Sequence, residues 1–129
     1  MSVELNRKGY NYALRLIREE KVNRTSDWEM TPADENAILG EDRDWGEYAR
    51  WFLGIDTAIS EETKAHYKYP FGKRGKLYRS ALIAIRQRSA QQGLTEIYEA
   101  SGRLLVRVDE ERSLQKVLRK VREITRIFR

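Results

Sequence analysis

The sequence predicts a mainly helical α+β domain with one short β-hairpin and an amphipathic C-terminal helix. Apolar residues recur at helical spacing over most of the chain, whereas the aromatic residues at 67–71 alternate, as in a strand. The 129 residues are enough for one domain with its own hydrophobic core. We therefore expect a helical domain at 1–108, with the hairpin at about 66–78, and a basic amphipathic helix or arm at 109–129.

Capping signals place the first helices. A first helix is expected from about Asn11, where apolar residues follow the helical spacing. The second has a sharper start, because Thr31 can act as N-cap, Pro32 suits the first helical position and Asp34 follows the Thr by three residues. Gly40 is expected to end that helix.

Two more helices are expected before the hairpin. Aromatic residues at helical spacing predict a third helix that begins at Asp42 or Asp44 and ends at Gly54. Ser60 is followed by two acidic residues, which favour the N-terminus of a short helix.

The alternating aromatic residues predict the hairpin. Residues 67–71 would form its first strand, the Gly-Lys-Arg-Gly run at 72–75 its turn and residues 76–78 its second strand. Pro70 restricts the first strand to a sheet edge. After the hairpin, one helix should end at Gly93 and another should begin at Thr95.

The C-terminal segment reads as a basic amphipathic helix. Neither Gly nor Pro interrupts it, so it can continue directly from the preceding helix. Its apolar stripe consists of Leu114, Val117, Leu118, Val121, Ile124 and Phe128. The seven-residue spacing lasts about two heptads, fewer than the ~3–4 that predict a coiled coil. We expect the helix to pack on its own domain or to bind a protein partner, a second copy included. An anionic membrane is disfavoured, because the stripe has no Trp anchor.

Charge is divided unevenly along the chain, which has a net charge of +5. Residues 1–64 carry 9 basic and 14 acidic side chains, whereas residues 65–129 carry 16 basic and 6 acidic ones. Such a division indicates either an electrostatic partner for one half or attraction between the two halves.

Composition excludes several kinds of chemistry. Without Cys there are no disulfides, Cys-ligated zinc, iron–sulfur centres or thiol catalysis, and the single His66 excludes a multi-His metal site. No apolar run approaches the ~20 residues that span a bilayer, and no secretory signal is visible. We expect a cytoplasmic protein with no metal, no cofactor and no membrane contact.

Eleven carboxylates lie between residues 27 and 62, where a pair could act as acid and base. Several are already explained as helix starts. A calcium loop centred on Gly46 would need ligands at 41, 43 and 45, which are Glu, Arg and Trp. We interpret this window as a solvated acidic surface, and we expect the chain not to be an enzyme.

Cations gather around the predicted hairpin. The Gly-Lys-Arg-Gly-Lys run is too short for a phosphate-binding P-loop, and the strand before it argues against a KH loop. Cations interleaved with aromatic rings suit single-stranded nucleic acid. The alternation favours the other interpretation, in which the aromatic residues form core and the cations line a solvated turn. This basic patch consists of Lys68, Lys73, Arg74, Lys76, Arg79 and Arg86.

About half of the chain carries a recognisable pattern: an aromatic segment, a Tyr-Lys-x-Pro strand, a Gly turn and an Ala-rich helix that ends in Gly. The residues concerned are Trp45, Trp51-Phe52, His66-Tyr67-Lys68-Tyr69-Pro70-Phe71-Gly72, Tyr78-Arg79-Ser80-Ala81-Leu82, Arg86-Gln87-Arg88, Ala90-Gln91-Gln92-Gly93 and Leu104-Leu105. The pattern resembles an uncharacterised bacterial and prophage domain associated with tailed-phage head proteins, including the C-terminal part of prohead-protease-like polypeptides. The resemblance implies a phage- or prophage-derived module that works by protein–protein contact. The Ser and His nucleophile system of such proteases has no counterpart here.

Three hypotheses follow from the sequence. The first is a small non-enzymatic interaction module that binds a protein through the hairpin surface or the C-terminal helix. The alternative is a nucleic-acid-binding protein that uses the basic patch and that helix. An acid/base enzyme is the third, and it requires two carboxylates buried in a pocket.

Overall fold

The structure, a computed structural model, describes residues 2–127 as five α-helices and six short strands. The helices are α1 (Arg7–Arg18), α2 (Pro32–Leu39), α3 (Trp45–Ala49), α4 (Arg79–Gln91) and α5 (Thr95–Ile127). The strands are β1 (Val3–Leu5), β2 (Val22–Asn23), β3 (Phe52–Asp56), β4 (Tyr67–Pro70), β5 (Gly72–Lys73) and β6 (Lys76–Tyr78). A single 3-10 turn, Lys64–His66, precedes β4. The α+β class is confirmed.

The strands form two small sheets rather than one hairpin. In the first sheet the order is β1-β3-β4 and both pairings are antiparallel. In the second the order is β2-β6-β5, with β2 parallel and β5 antiparallel to β6. The chain therefore contributes strands to both sheets from regions far apart in sequence.

The prediction of a hairpin over 66–78 was wrong about which strands pair. The strand that contains Lys68 pairs with Gly54 of β3, not with residues 76–78. The hairpin that does form joins β5 to β6, and its turn is only Arg74 and Gly75, both with positive φ (54° and 77°). Local alternation identified the strand, but its partner is set by tertiary contacts.

The prediction that the third helix extends to Gly54 was also wrong. Helix α3 ends at Ala49, and the chain then enters β3. The side chain of Asn6 donates hydrogen bonds to the carbonyls of Ala49 and Phe52, 2.8 and 2.9 Å away, and so joins the end of α3 to β3. No helix begins at Ser60; the chain forms turns there.

The other helix signals are confirmed. Thr31 and Asp34 form a reciprocal capping box at the start of α2, and Gly40 ends that helix. The first helix begins earlier than expected, at Arg7. The helix after the hairpin and the one from Thr95 are both present.

The core lies where α1, α4 and the first half of α5 meet the two sheets. Helix α1 crosses β3 so closely that a Cβ on Gly9 would lie 1.9 Å from the carbonyl oxygen of Phe52. Aromatic rings also pack at β3, where Tyr48 contacts Phe52 and meets Tyr67 edge-on. The core therefore depends on contacts between residues about 40 positions apart.

Helix α5 is one continuous helix of 33 residues, about 50 Å long. Its buried residues end at Val108, and no side chain described beyond that point is buried. The described part of the C-terminal arm, residues 109–127, therefore continues the last core helix as a projecting helix.

Candidate functional site

Polar contacts fix the helix where the arm leaves the domain. The Arg79 guanidinium donates two hydrogen bonds to the Asp109 carboxylate, at 3.0 and 3.2 Å. This pairing lowers the pKa of Asp109 and raises that of Arg79. Arg24 also donates to the Val108 carbonyl, at 3.1 Å. The direction of the arm is thus set by side chains of the folded domain.

The arm presents the apolar stripe to solvent. Its described members are between 39% and 57% exposed; they are Leu114, Val117, Leu118, Val121 and Ile124. Ile127, which the sequence analysis did not include, is exposed as well, and Phe128 lies outside the described residues. Exposed side chains of this size on one helix face are typical of a surface that binds another protein.

Beyond the acidic residues at 109–111, the arm is basic. Its exposed cations are Arg112, Lys116, Arg119, Lys120, Arg122 and Arg126. Within residues 2–127, none of them has a carboxylate within ion-pair distance. Only one acidic residue, Glu123, lies among them. The same helix therefore offers an apolar face and a strongly positive one.

Lys73 of the basic patch is directed into the protein. It is only 9% exposed, and its ammonium group lies 2.9 Å from the Asp34 carboxylate and over the rings of Trp28 and Tyr78. It also donates a hydrogen bond to the Glu29 carbonyl. The hydrogen bond from Lys73 lowers the pKa of Asp34 to about 2. Lys73 thus joins the β5–β6 hairpin to the first turn of α2 and to the segment before it.

Two further cations of the patch are engaged within the fold. Arg79 holds Asp109, as described above. The Arg86 guanidinium lies 4.0 Å from the centre of the Tyr98 ring and donates to the Tyr98 hydroxyl at 2.8 Å. It fills the space over Gly102, where a Cβ would meet it at 1.8 Å. Arg86 therefore packs α4 against α5.

The remaining cations of the patch are separated between the two sheets. Arg74 and Lys76 are exposed on the β5–β6 hairpin, whereas Lys68 lies on β4 of the other sheet. The rings of Tyr67, Phe71 and Tyr78 are buried in the core, so they do not present stacking faces to solvent. The hairpin surface offers a nucleic acid two exposed cations rather than six.

A cleft of about 710 Å³ lies between the first sheet and α4. Its walls are mostly apolar, with Lys68 and Arg88 as its cations. Tyr69 lines it with φ of 61° and donates a hydrogen bond to Gln92. Sequence reasoning missed this cleft, because its walls come from β1, β3, β4 and α4 and no local pattern joins them.

Most carboxylates of the acidic window are exposed to solvent, and several of them make structural contacts. Asp34 and Asp44 cap helices, and every carboxyl pKa that shifts within residues 2–127 is lowered, by hydrogen bonds or cations. His66 is buried with its Nδ1 atom 2.8 Å from the Ile59 carbonyl. Nowhere in the described chain do three or more His, Cys, Asp or Glu side chains gather as they would around a metal ion.

Comparison of the chain with family models, with curated proteins and with solved structures finds no significant match. The resemblance to a segment of tailed-phage head proteins therefore stays a prediction. Within residues 2–127, no helix is both long and apolar enough to cross a membrane.

Proposed function

We propose that the chain is a small interaction module that binds another protein through the apolar stripe of its arm. The observation that carries this proposal is the half-exposed stripe on a helix whose base is held in the core. A partner helix packed along it would remove five or more aliphatic side chains from water, which is the main driving force of protein association.

The proposal is a binding function rather than catalysis. A general acid at neutral pH needs a raised carboxyl pKa, and the shifted carboxyls described here are lowered instead. The resemblance to a phage head-protein segment supports a setting of protein assembly, in which contact between chains is the usual task.

Two double variants of the full chain test this function. Val117→Gln/Val121→Gln makes the stripe polar without changing charge. Lys116→Gln/Glu123→Gln places two Gln residues on the opposite face and also leaves the net charge unchanged. All four positions are exposed, so both variants should fold.

The measurement is affinity capture of proteins from cells that encode the chain, followed by binding of the purified captured protein. We expect wild type and the opposite-face variant to bind a protein that the stripe variant loses. If the stripe variant affects no binding event, including binding of a second copy, the proposed function is wrong.

Nucleic-acid binding is the second candidate, and the exposed cations of the arm favour it. Labelled single-stranded and duplex DNA should be titrated at low and near-physiological salt with wild type and with Arg119→Gln/Arg122→Gln/Arg126→Gln. If each of these cations contacts a phosphate, the negative slope of log K against log salt becomes shallower by up to about 3 in the variant. The matched control, Arg7→Gln/Lys8→Gln/Arg18→Gln, removes three exposed cations from α1. Equal binding by the two variants would contradict a role for the arm.

A further inference from the structure

We propose that the occupant of the apolar stripe is a second copy of this chain, and that the two arms pair as antiparallel helices. This inference rests on the proposed function and names its partner. Three features of α5 carry it: the spacing of the stripe, the charge distribution along the arm and the continuity of the helix with the core.

The spacing of the stripe selects one register. In a heptad labelled a to g, Leu114 and Val121 occupy a positions, and Val117 and Ile124 occupy d positions. Antiparallel helices pack a against d. Within the described residues, one register fills four successive layers with apolar pairs. It sets Leu114 against Ile124 and Val117 against Val121 of the second copy, with the same two pairs repeated across the two-fold axis.

Neighbouring registers are worse by this criterion. Shifting the pairing by one heptad sets Val121 against Glu110, or moves the stripe past the described residues. In the favoured register Leu118 lies beside Leu118 of the second copy, near the two-fold axis, and adds a further apolar contact. Residue 127 of the second copy lies opposite Glu111, outside the last buried position, Val108. Neither domain needs to enter the interface.

Charge favours the antiparallel orientation over the parallel one. The arm begins with Asp109, Glu110 and Glu111, whereas residues 116–126 carry five cations and one Glu. A parallel pair would align the basic regions along their whole length and the acidic residues with one another. The antiparallel pair separates the two acidic starts and brings Glu111 of each arm near Arg126 of the other, which is favourable at the two ends of the pair. Between these ends, Arg112 lies opposite Arg126 and Lys116 lies opposite Arg122 of the second copy, so the basic segments still repel one another there.

Continuity with the core compensates for the shortness of the stripe. Two heptads rarely hold separate peptides together, because each peptide must first become helical. Here α5 is already helical from Thr95, and its base is held by buried residues and by the Arg79–Asp109 pair. Preorganisation lowers the cost of association. The contact is still small compared with standard interfaces of roughly 800 Å² per partner, so the dimer should be reversible.

The first test is the mass of the full chain in solution by sedimentation or light scattering, from about 1 to about 200 μM. We expect the wild-type mass to rise with concentration from 15.3 kDa towards twice that value. Val117→Gln/Val121→Gln should stay monomeric, and Lys116→Gln/Glu123→Gln should dimerise like wild type. Added salt should not dissociate the dimer, because it screens the repulsion between the basic segments.

The second test uses single cysteines, which are unambiguous because the chain has no native Cys. Leu118→Cys should form a disulfide-linked homodimer on mild oxidation. Leu114→Cys should not, because the two copies of residue 114 are about ten residues, or about 15 Å, apart along the antiparallel pair. Mixing Leu114→Cys with Ile124→Cys should give the mixed dimer. A parallel pair would give the opposite result, with Leu114→Cys homodimers.

The outcomes separate this inference from the proposed function. A wild-type chain that stays monomeric at the highest concentration overturns the inference, while stripe-dependent capture of a different protein would leave the proposed function standing. A dimer that the stripe variant does not weaken, or a disulfide-linked homodimer of Leu114→Cys, also overturns it. If in addition the stripe variant loses no other binding, the proposed function fails with it.

Discussion

The ammonium group of Lys73 lies 2.9 Å from the carboxylate of Asp34, and this ion pair joins the β5–β6 hairpin to the first turn of α2. In the sequence, Lys73 stands in a Gly-Lys-Arg-Gly-Lys run that suggests an anion site. In the fold, it is the neighbouring Arg74 that faces solvent. In this cation-rich turn, Lys73 therefore stabilises the domain, whereas the next residue, Arg74, is exposed.

This ion pair predicts a pH dependence of stability. The pKa of Asp34 is about 2 in the folded chain, below its ordinary value of 3.8. A lowered folded-state pKa stabilises the fold above the ordinary value, and that contribution is lost as the pH falls towards about 2. We expect the free energy of unfolding of wild type to fall more steeply between about pH 4 and about pH 2 than that of Asp34→Asn, measured by urea titration.

Asp27→Asn is the control for this experiment, because Asp27 is exposed and makes no ion pair among the described residues. It should keep the wild-type slope. If Asp34→Asn keeps it as well, the contact with Lys73 does not govern acid stability.

The close approach of α1 to β3 predicts a large effect of one methyl group. Gly9→Ala would place a Cβ 1.9 Å from the backbone oxygen of Phe52, so the helix must move away from the strand. We expect the free energy of unfolding to fall by about 2–3 kcal/mol. Gly46→Ala, in α3, meets only side-chain atoms at 3.3 Å or more and should change stability by less than about 0.5 kcal/mol. Equal values for the two variants in urea unfolding would contradict the packing described here.

Two leucines of α5 should differ sharply when they are shortened. Leu104 is fully buried, whereas Leu114 is 49% exposed. Leu104→Ala should lower the free energy of unfolding by about 2–5 kcal/mol, because it leaves a cavity. Leu114→Ala should change it by less than about 0.5 kcal/mol in dilute solution, where the arm has no partner. Chemical unfolding at low protein concentration measures both, and a large loss in Leu114→Ala would mean that the arm packs on its own domain.

The β5–β6 turn offers a stabilising substitution. Arg74 and Gly75 form a two-residue hairpin loop with positive φ at both positions, a conformation for which Asn-Gly is the preferred pair. Arg74→Asn should therefore raise the free energy of unfolding by about 0.5 kcal/mol. Lys76→Asn, in the adjoining strand, should not raise it, since Asn disfavours strands. Thermal melts that rank the two variants in the opposite order would contradict this turn geometry.

Local signals correctly predicted the helices whose start or end is marked by capping residues in the sequence. The capping box at Thr31, the glycine after α2 and the start of a helix at Thr95 are each encoded within a few residues. The segment around Phe52 was misassigned, because its aromatic spacing also fits a helix. What makes it a strand is its pairing with β1 and β4, which lie more than ten residues away on either side.

The same distinction applies to the candidate sites. The apolar stripe follows helical periodicity, so its described members were identified from the sequence, but the sequence left open whether the domain covers them. The buried role of Lys73 depends on Asp34 and Trp28, which lie about 40 residues earlier. The cleft beside Lys68 exists only after the first sheet and α4 have assembled. Composition along the chain cannot distinguish a cation that binds a partner from one that binds its own fold.

Because α5 runs without a break from the core into the arm, a molecule that binds the arm stabilises the whole domain. A peptide as short as residues 109–127 is only marginally helical by itself in water, so the arm depends on the folded core for its helical shape. Any molecule that recognises the helical arm thus recognises only the native state and shifts the folding equilibrium by mass action. At a concentration 100 times its Kd, it would add about 2.7 kcal/mol to the free energy of unfolding. The thermal stability of the whole domain should therefore rise when a partner binds the arm, although the arm's surface does not contact the core.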